Sequence, residues 1–183
     1  LGMPLVLLVL AIYPLRRIGG AVGWLGPAAR RVWAEKLAVL LIALLFAGVT
    51  YTAQDDAGTF PSLADYGLTA RIDQAIHGLT FYAIKTLHPV DLAPMIEIPQ
   101  GPVSLDASFA VRVAALALVT GGLILLRKRW PAGLAVWIVY VVLLAPVLGI
   151  TQAGPQLVAD RYSYLSCTGF AVLAGGAVLG VAR

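Results

Sequence analysis

Charge is scarce in this chain. Only 12% of its 183 residues are Asp, Glu, Lys or Arg, and nine of them are acids. A water-soluble domain of this length needs many more to cover its surface. With 60% hydrophobic residues and a mean hydropathy of +0.89, the composition excludes such a domain and leaves an all-α, polytopic integral membrane protein. Cysteine is nearly absent: Cys167 stands alone, which excludes an internal disulfide and leaves the redox compartment unread. Only two histidines occur, His77 and His88, with no cluster at ligand spacing beside them. Even with Asp91 and Glu97 near them in sequence they read as interfacial hydrogen bonders rather than a metal site. No basic stripe interleaves with aromatics, so nucleic acid is excluded as a partner. The glycine-rich Gly19–Gly26 lacks a Lys-Ser/Thr ending and follows no strand, which makes it a flexible connection and not a phosphate loop. No cofactor is identified.

What the chain does have is apolar runs. Leu1–Tyr13, Leu37–Ala53, Ala107–Leu126, Pro131–Ile150 and roughly Tyr164–Ala182 predict about five transmembrane helices in a single domain over residues 1–183. A span needs about 20 apolar residues, so the first run reads as the end of a helix whose start is missing. No basic stretch precedes it and no small-residue cleavage site follows, which argues against a signal peptide. The second run is marginal and borrows Val32 and Trp33.

The net charge of +4 is a topology signal. Arg16, Arg17, Arg30, Arg31 and Lys36 lie in loop 14–36, Arg127-Lys128-Arg129 form the turn between the third and fourth runs, and Arg183 ends the chain. Five alternating spans put all of these on one side, while every acid except Glu35 falls on the other. Short basic loops stay cytoplasmic. Loops 14–36 and 127–130 are therefore expected inside, with loops 54–106 and 151–163 outside, and the expected location is a bacterial cytoplasmic (inner) membrane.

The long outer loop divides in three. The acidic, turn-rich stretch before Gly67 is expected to be irregular. Ile72, Ile76, Leu79, Ala83 and Leu87 then recur at helical spacing, with Arg71, Asp73, Gln74 and His77 on the other side. This predicts a helix over about 69–87, capped by Thr69 and stopped by Pro89, lying in the outer interface. A re-entrant or core-packed helix is the alternative. The proline-rich stretch from Val90 to Asp106 rules out a regular helix and predicts an extended ledge.

Between the last two runs stands "GPQLVADRYSYLSCTG", residues 154–169. Asp160 and Arg161 reach the outer membrane surface with Tyr162 and Tyr164 at the depth of an aromatic belt. One reading is anchoring: Arg161 holds a headgroup phosphate, Asp160 balances it and the tyrosines seat the helix. The other is a binding site. Arg161 offers a planar, always-charged fork to a phosphate or pyrophosphate. Gln156 and Tyr162 add neutral hydrogen bonds, Asp160 orients the fork, and Lys85 supplies a second cation.

A resemblance extends these residues. Ala159, Asp160, Arg161, Tyr162, Tyr164, Leu165 and Gly169, with Tyr82, Lys85, Pro89, Leu92, Ala93 and Pro94 upstream, resemble the last outer-loop motifs of a membrane family. These are the transmembrane, tetratricopeptide-repeat-containing (O-mannosyltransferase-like) proteins and their bacterial relatives. They belong to the polyprenyl-phosphate-sugar-dependent glycosyltransferases of the GT-C fold. Ser166 stands where the family has proline, and Met95 and Ile96 where it has aromatics. The resemblance covers roughly residues 70–175. It implies the membrane part of a glycosyltransferase-like protein with a polyprenyl-phosphate-linked sugar as donor, Arg161 and its neighbours binding the carrier phosphate, and the catalytic carboxylate in an earlier loop that no motif before Leu37 supplies. The alternative is a noncatalytic transmembrane scaffold or accessory subunit of a larger membrane complex, packed through Gly169, Gly175, Gly176 and Gly180.

Overall fold

The computed structural model describes residues 2–20, 23–56, 67–90, 96–97, 106–148 and 156–181; of residues 54–56, 97, 156 and 181 only the backbone is described. The chain is mostly helical. In order come α1 (Met3–Ile12), α2 (Pro27–Asp56), α3 (Leu68–Leu87), strand β1 (Ile96–Glu97), α4 (Ala107–Leu125), α5 (Pro131–Leu144), strand β2 (Gln156–Val158), α6 (Ser163–Ser166) and α7 (Thr168–Val181). Among the described residues two helical stretches are long and apolar enough to cross a membrane, Pro27–Ala53 and Ala107–Lys128. Met3–Ile12 and Pro131–Val147 are shorter apolar helices, and α6 with α7 passes as a third crossing only if the pair, bent by 52°, counts as one span.

Several boundaries differ from those the sequence suggests, each for a local reason. Helix α2 begins ten residues before Leu37, at Pro27, where proline's fixed φ suits a first helical turn. It carries Arg30, Arg31, Glu35 and Lys36 as helix rather than loop. Long charged side chains can reach water from a helix without breaking its backbone bonds, and Arg17 meets Glu35 at 2.9 Å on that exposed end. Helix α5 stops at Leu144 and tightens into a 3₁₀ turn over Ala145–Val147, because Pro146 has no N–H to continue the ladder.

The last apolar run breaks at Cys167. Ser166 Oγ donates to the Tyr162 carbonyl at 3.0 Å, and Thr168 Oγ1 to the Leu165 carbonyl at 2.7 Å. Hydroxyls bonding back to the preceding turn bend helices. The start of α3 is capped at Gly67 without a side-chain bond, not by Thr69.

The ledge after Pro89 is extended where it is described. Ile96 and Glu97 pair antiparallel with Val158 and Gln156, a contact no sequence pattern foretold. Residues 57–66, 91–95, 98–105 and 149–155, including Asp91 and the polar entrance Gln152–Pro155, lie outside the described residues.

Two clusters hold the helices. Ala11, Ile18, Ala29 and Val32 join α1 to α2. The larger cluster joins Tyr82 of α3, Trp137, Tyr140 and Leu144 of α5, Leu148 and Val158 of β2. Gly78 packs closely against it: a Cβ there would lie 2.8 Å from Leu148 Cδ2 and push that leucine's end aside.

Candidate functional site

Strand β2 runs into a 3₁₀ turn, Asp160–Tyr162, that passes into α6. Three bonds fix that turn. The Ala159 N–H donates to Tyr82 Oη at 3.0 Å, Ser163 Oγ donates to the Asp160 carbonyl at 2.6 Å, and the Tyr162 N–H donates to the Ala159 carbonyl at 3.0 Å. Gln74 Nε2 donates to the Leu157 carbonyl at 3.4 Å. Helix α3 is therefore the backing of the turn, and Tyr82 is its central post. Burial pushes the Tyr82 phenol up to about 12, so it stays a neutral hydrogen-bonding group at any physiological pH.

Of the residues singled out by sequence, Asp160, Arg161 and Tyr162 come together on this turn. Asp160 is buried and Arg161 exposed. Arg161 Nη2 donates to Tyr162 Oη at 3.2 Å, and the guanidinium carbon lies 5.1 Å from the centre of the Tyr162 ring. This bond to Tyr162 shifts the arginine's already high pKa further up. A guanidinium carries five N–H donors in a rigid fork; stacking on a neighbouring ring sets the plane of that fork. Tyr162 thus touches the arginine it was expected to assist.

Lys85 sits in the last turn of α3, where its ammonium donates to the Val90 carbonyl and lies 5.5 Å from the Phe81 ring centre. Gln156 enters through its backbone, paired with Glu97; its side chain lies outside the described residues.

A second polar cluster escaped the sequence reading as a unit. Arg112, in the second turn of α4, places Nη1 2.9 Å from His77 Nδ1, with Nη2 3.2 Å from Ser108 Oγ and 3.5 Å from Asp73 Oδ1. Asp73 and Arg112 are each about three-quarters buried, at 25% and 24% exposure, and Arg112 Nε is buried without a hydrogen-bond partner among the described residues. Burial first, and Arg112 second, lower the pKa of His77, against a smaller opposing pull from Asp73. The signal was present: Asp73 and His77 are one helical turn apart, and Arg112 is the lone charge inside an apolar run.

An apolar cavity of about 420 Å³ lies between the end of α3 and helices α4, α5 and α7, with Ala83, Leu118, Gly122, Trp137 and Phe170 among its walls. None of the five predicted site residues lines it. Compared with family models, curated proteins and solved structures, the chain matches none.

Proposed function

We propose that this chain is the membrane-embedded part of a glycosyltransferase-like protein, crossing the membrane about five times with its basic loops inside, and that the Asp160–Tyr162 turn receives the phosphate of a polyprenyl-phosphate-linked sugar on the outer face. The observation that carries this reading is the preset arginine. Arg161 is exposed, stacked on Tyr162 and mounted on a turn fixed from behind by Tyr82. Phosphate recognition needs such a fork in a defined plane, whereas a mere membrane anchor needs only a flexible positive charge.

The test is retention of a polyprenyl phosphate by the purified chain in nanodiscs, against the matching polyprenol that lacks the phosphate. Preference for the phosphate is expected, and Arg161→Lys, which keeps the charge and loses the fork, should weaken it about tenfold, equivalent to about 1.4 kcal/mol. Equal retention of phosphate and alcohol would refute the site.

A second reading has its own observation. Cβ atoms built at Gly175, Gly176 and Gly180 of α7 meet nothing within 4 Å, and Val172, Val178 and Leu179 are exposed. Small residues allow close helix approach in membranes, so this face suits packing against another subunit of a larger membrane complex.

A further inference from the structure

Helices α3 and α4 run side by side in the same direction. Near the start of both, Asp73 and His77 meet Arg112. Near the end of both, Ala83, Thr86 and Leu87 share cavity walls with Leu118, Gly122 and Leu126. The roughly ten residues from His77 to Leu87 advance about 15 Å along α4 at about 1.5 Å per residue, half of a hydrocarbon layer about 30 Å thick.

The chain then comes back. Ile96 pairs with Val158, and the neighbouring Leu157 and Ala159 bond Gln74 and Tyr82, near the middle of α3. The roughly nine residues from Leu87 to Ile96 can stretch about 30 Å, twice what the return requires.

We infer that α3 and β1 are the two arms of a re-entrant hairpin: the chain enters the membrane from the outer side along α4, reaches the hydrocarbon at Leu87–Val90, and at Ile96–Glu97 stands again towards the side it entered. The inference rests on α4 being a membrane span, as proposed above. The partner of the hairpin's outward face is lipid hydrocarbon. Ile72, Ile84 and Leu87 are exposed on α3, Leu118 and Leu125 are exposed on α4, and the most apolar stretch of α4 has 0% of its residues buried by protein. The two apolar surfaces share one depth, so what covers one covers the other.

A cation near the tip, Lys85, is accommodated within the hairpin. The Lys85 ammonium donates to the Val90 carbonyl at the turn and lies over the Phe81 ring. Such partners offset the large cost of a charge below the membrane surface.

Nitroxide depth measurements in proteoliposomes test this, with Cys167 replaced by alanine and single labels at Leu68, Ile84, Leu87, Val90 and, as reference, Leu118. All five side chains are exposed, Leu87 and Leu118 on the wall of the apolar cavity, so labelling spares the buried core. The ratio of oxygen to nickel-chelate collisions should rise several-fold from Leu68 through Ile84 to Leu87 and there match Leu118. An impermeant maleimide added on the cytoplasmic side should leave a cysteine at Val90 unreacted. A flat, shallow profile along α3 would overturn the hairpin in favour of a surface helix, and cytoplasmic labelling at Val90 would overturn it in favour of a full crossing. Water-like ratios at Leu118 would defeat the membrane reading of α4 and the hairpin with it, a result distinct from the other two.

Discussion

Among the described residues α2 and α3 are the two longest α-helices, and they are held in opposite ways. Over its most apolar stretch α2 has only 6% of its residues buried by protein, and Leu41, Leu45, Phe46 and Val49 are exposed. Helix α3 buries a ridge of Gln74, Gly78 and Tyr82: Gln74 bonds Leu157, Gly78 faces Leu148 and Val158, and Tyr82 bonds Ala159 just past β2. The residue types invert expectation. Beyond the Ala29 and Val32 contact with α1, the apolar side chains of α2 lie exposed, while the mixed helix adds hydrogen bonds from its polar ones. Where the surrounding medium is hydrocarbon, burying another leucine against protein gains little, and hydrogen bonds together with close packing decide which helices dock.

The comparison breaks most visibly at Tyr82. Tyr82→Ala empties the post behind the Asp160 turn and strands the Ala159 N–H, so a loss of about 3–5 kcal/mol is expected, read as a lower thermal midpoint in detergent. A midpoint unchanged from wild type would mean that α3 is not part of the cooperative core.

His77 gives a smaller, tunable effect. Its pKa is held below the ordinary 6.5, so the undocked histidine takes up a proton before the docked one does. Stability from this contact is complete above 6.5 and is lost as pH falls through the lower docked value. Labelling of Cys167, whose sulfur lies 2.7 Å from Thr86 Oγ1 on α3, reports the loosening. The wild-type rate divided by the His77→Gln rate at each pH should rise on acidification, since the ratio cancels the thiol's own titration. A pH-independent ratio would show that the histidine does not latch α3 to α4.

The smallest effect belongs to α2. Leu45→Ala removes a side chain that is 67% exposed, and the midpoint in lipid should move by no more than about 0.5 kcal/mol equivalent. A core-sized loss there would mean that the exposed stretch of α2 is packed against protein and would erase the contrast with α3.

Much of the architecture was legible because it is local. The 3.6-residue recurrence from Ile72 to Leu87 located α3 to within a residue at either end, and Pro89 marked where it stops; the stop before Pro146 went unread inside an apolar run. The bend at Cys167 was written in Ser166 and Thr168 but lay hidden inside an apolar run. The β1–β2 pairing was not legible: two or three residues give no alternation to read, and their partners stand some 60 positions apart. The site divides in the same way. Asp160, Arg161 and Tyr162 announce themselves as polar residues in a greasy chain, whereas nothing local tells Tyr82 that its hydroxyl will meet Ala159.

By itself the sequence determined the helical class, the two long apolar helices and the segregation of basic from acidic loops. These depend on composition and on contacts within a few residues, which every stretch of chain carries with it. Only the tertiary structure decided which face of α3 is inside. Periodicity separates an apolar side from a polar one but cannot say which of the two meets protein when lipid can take the apolar side. Asp73, Gln74 and His77 turn inward because Arg112 and the Leu157 carbonyl, far away in the chain, supply in space the partners that a buried polar group requires.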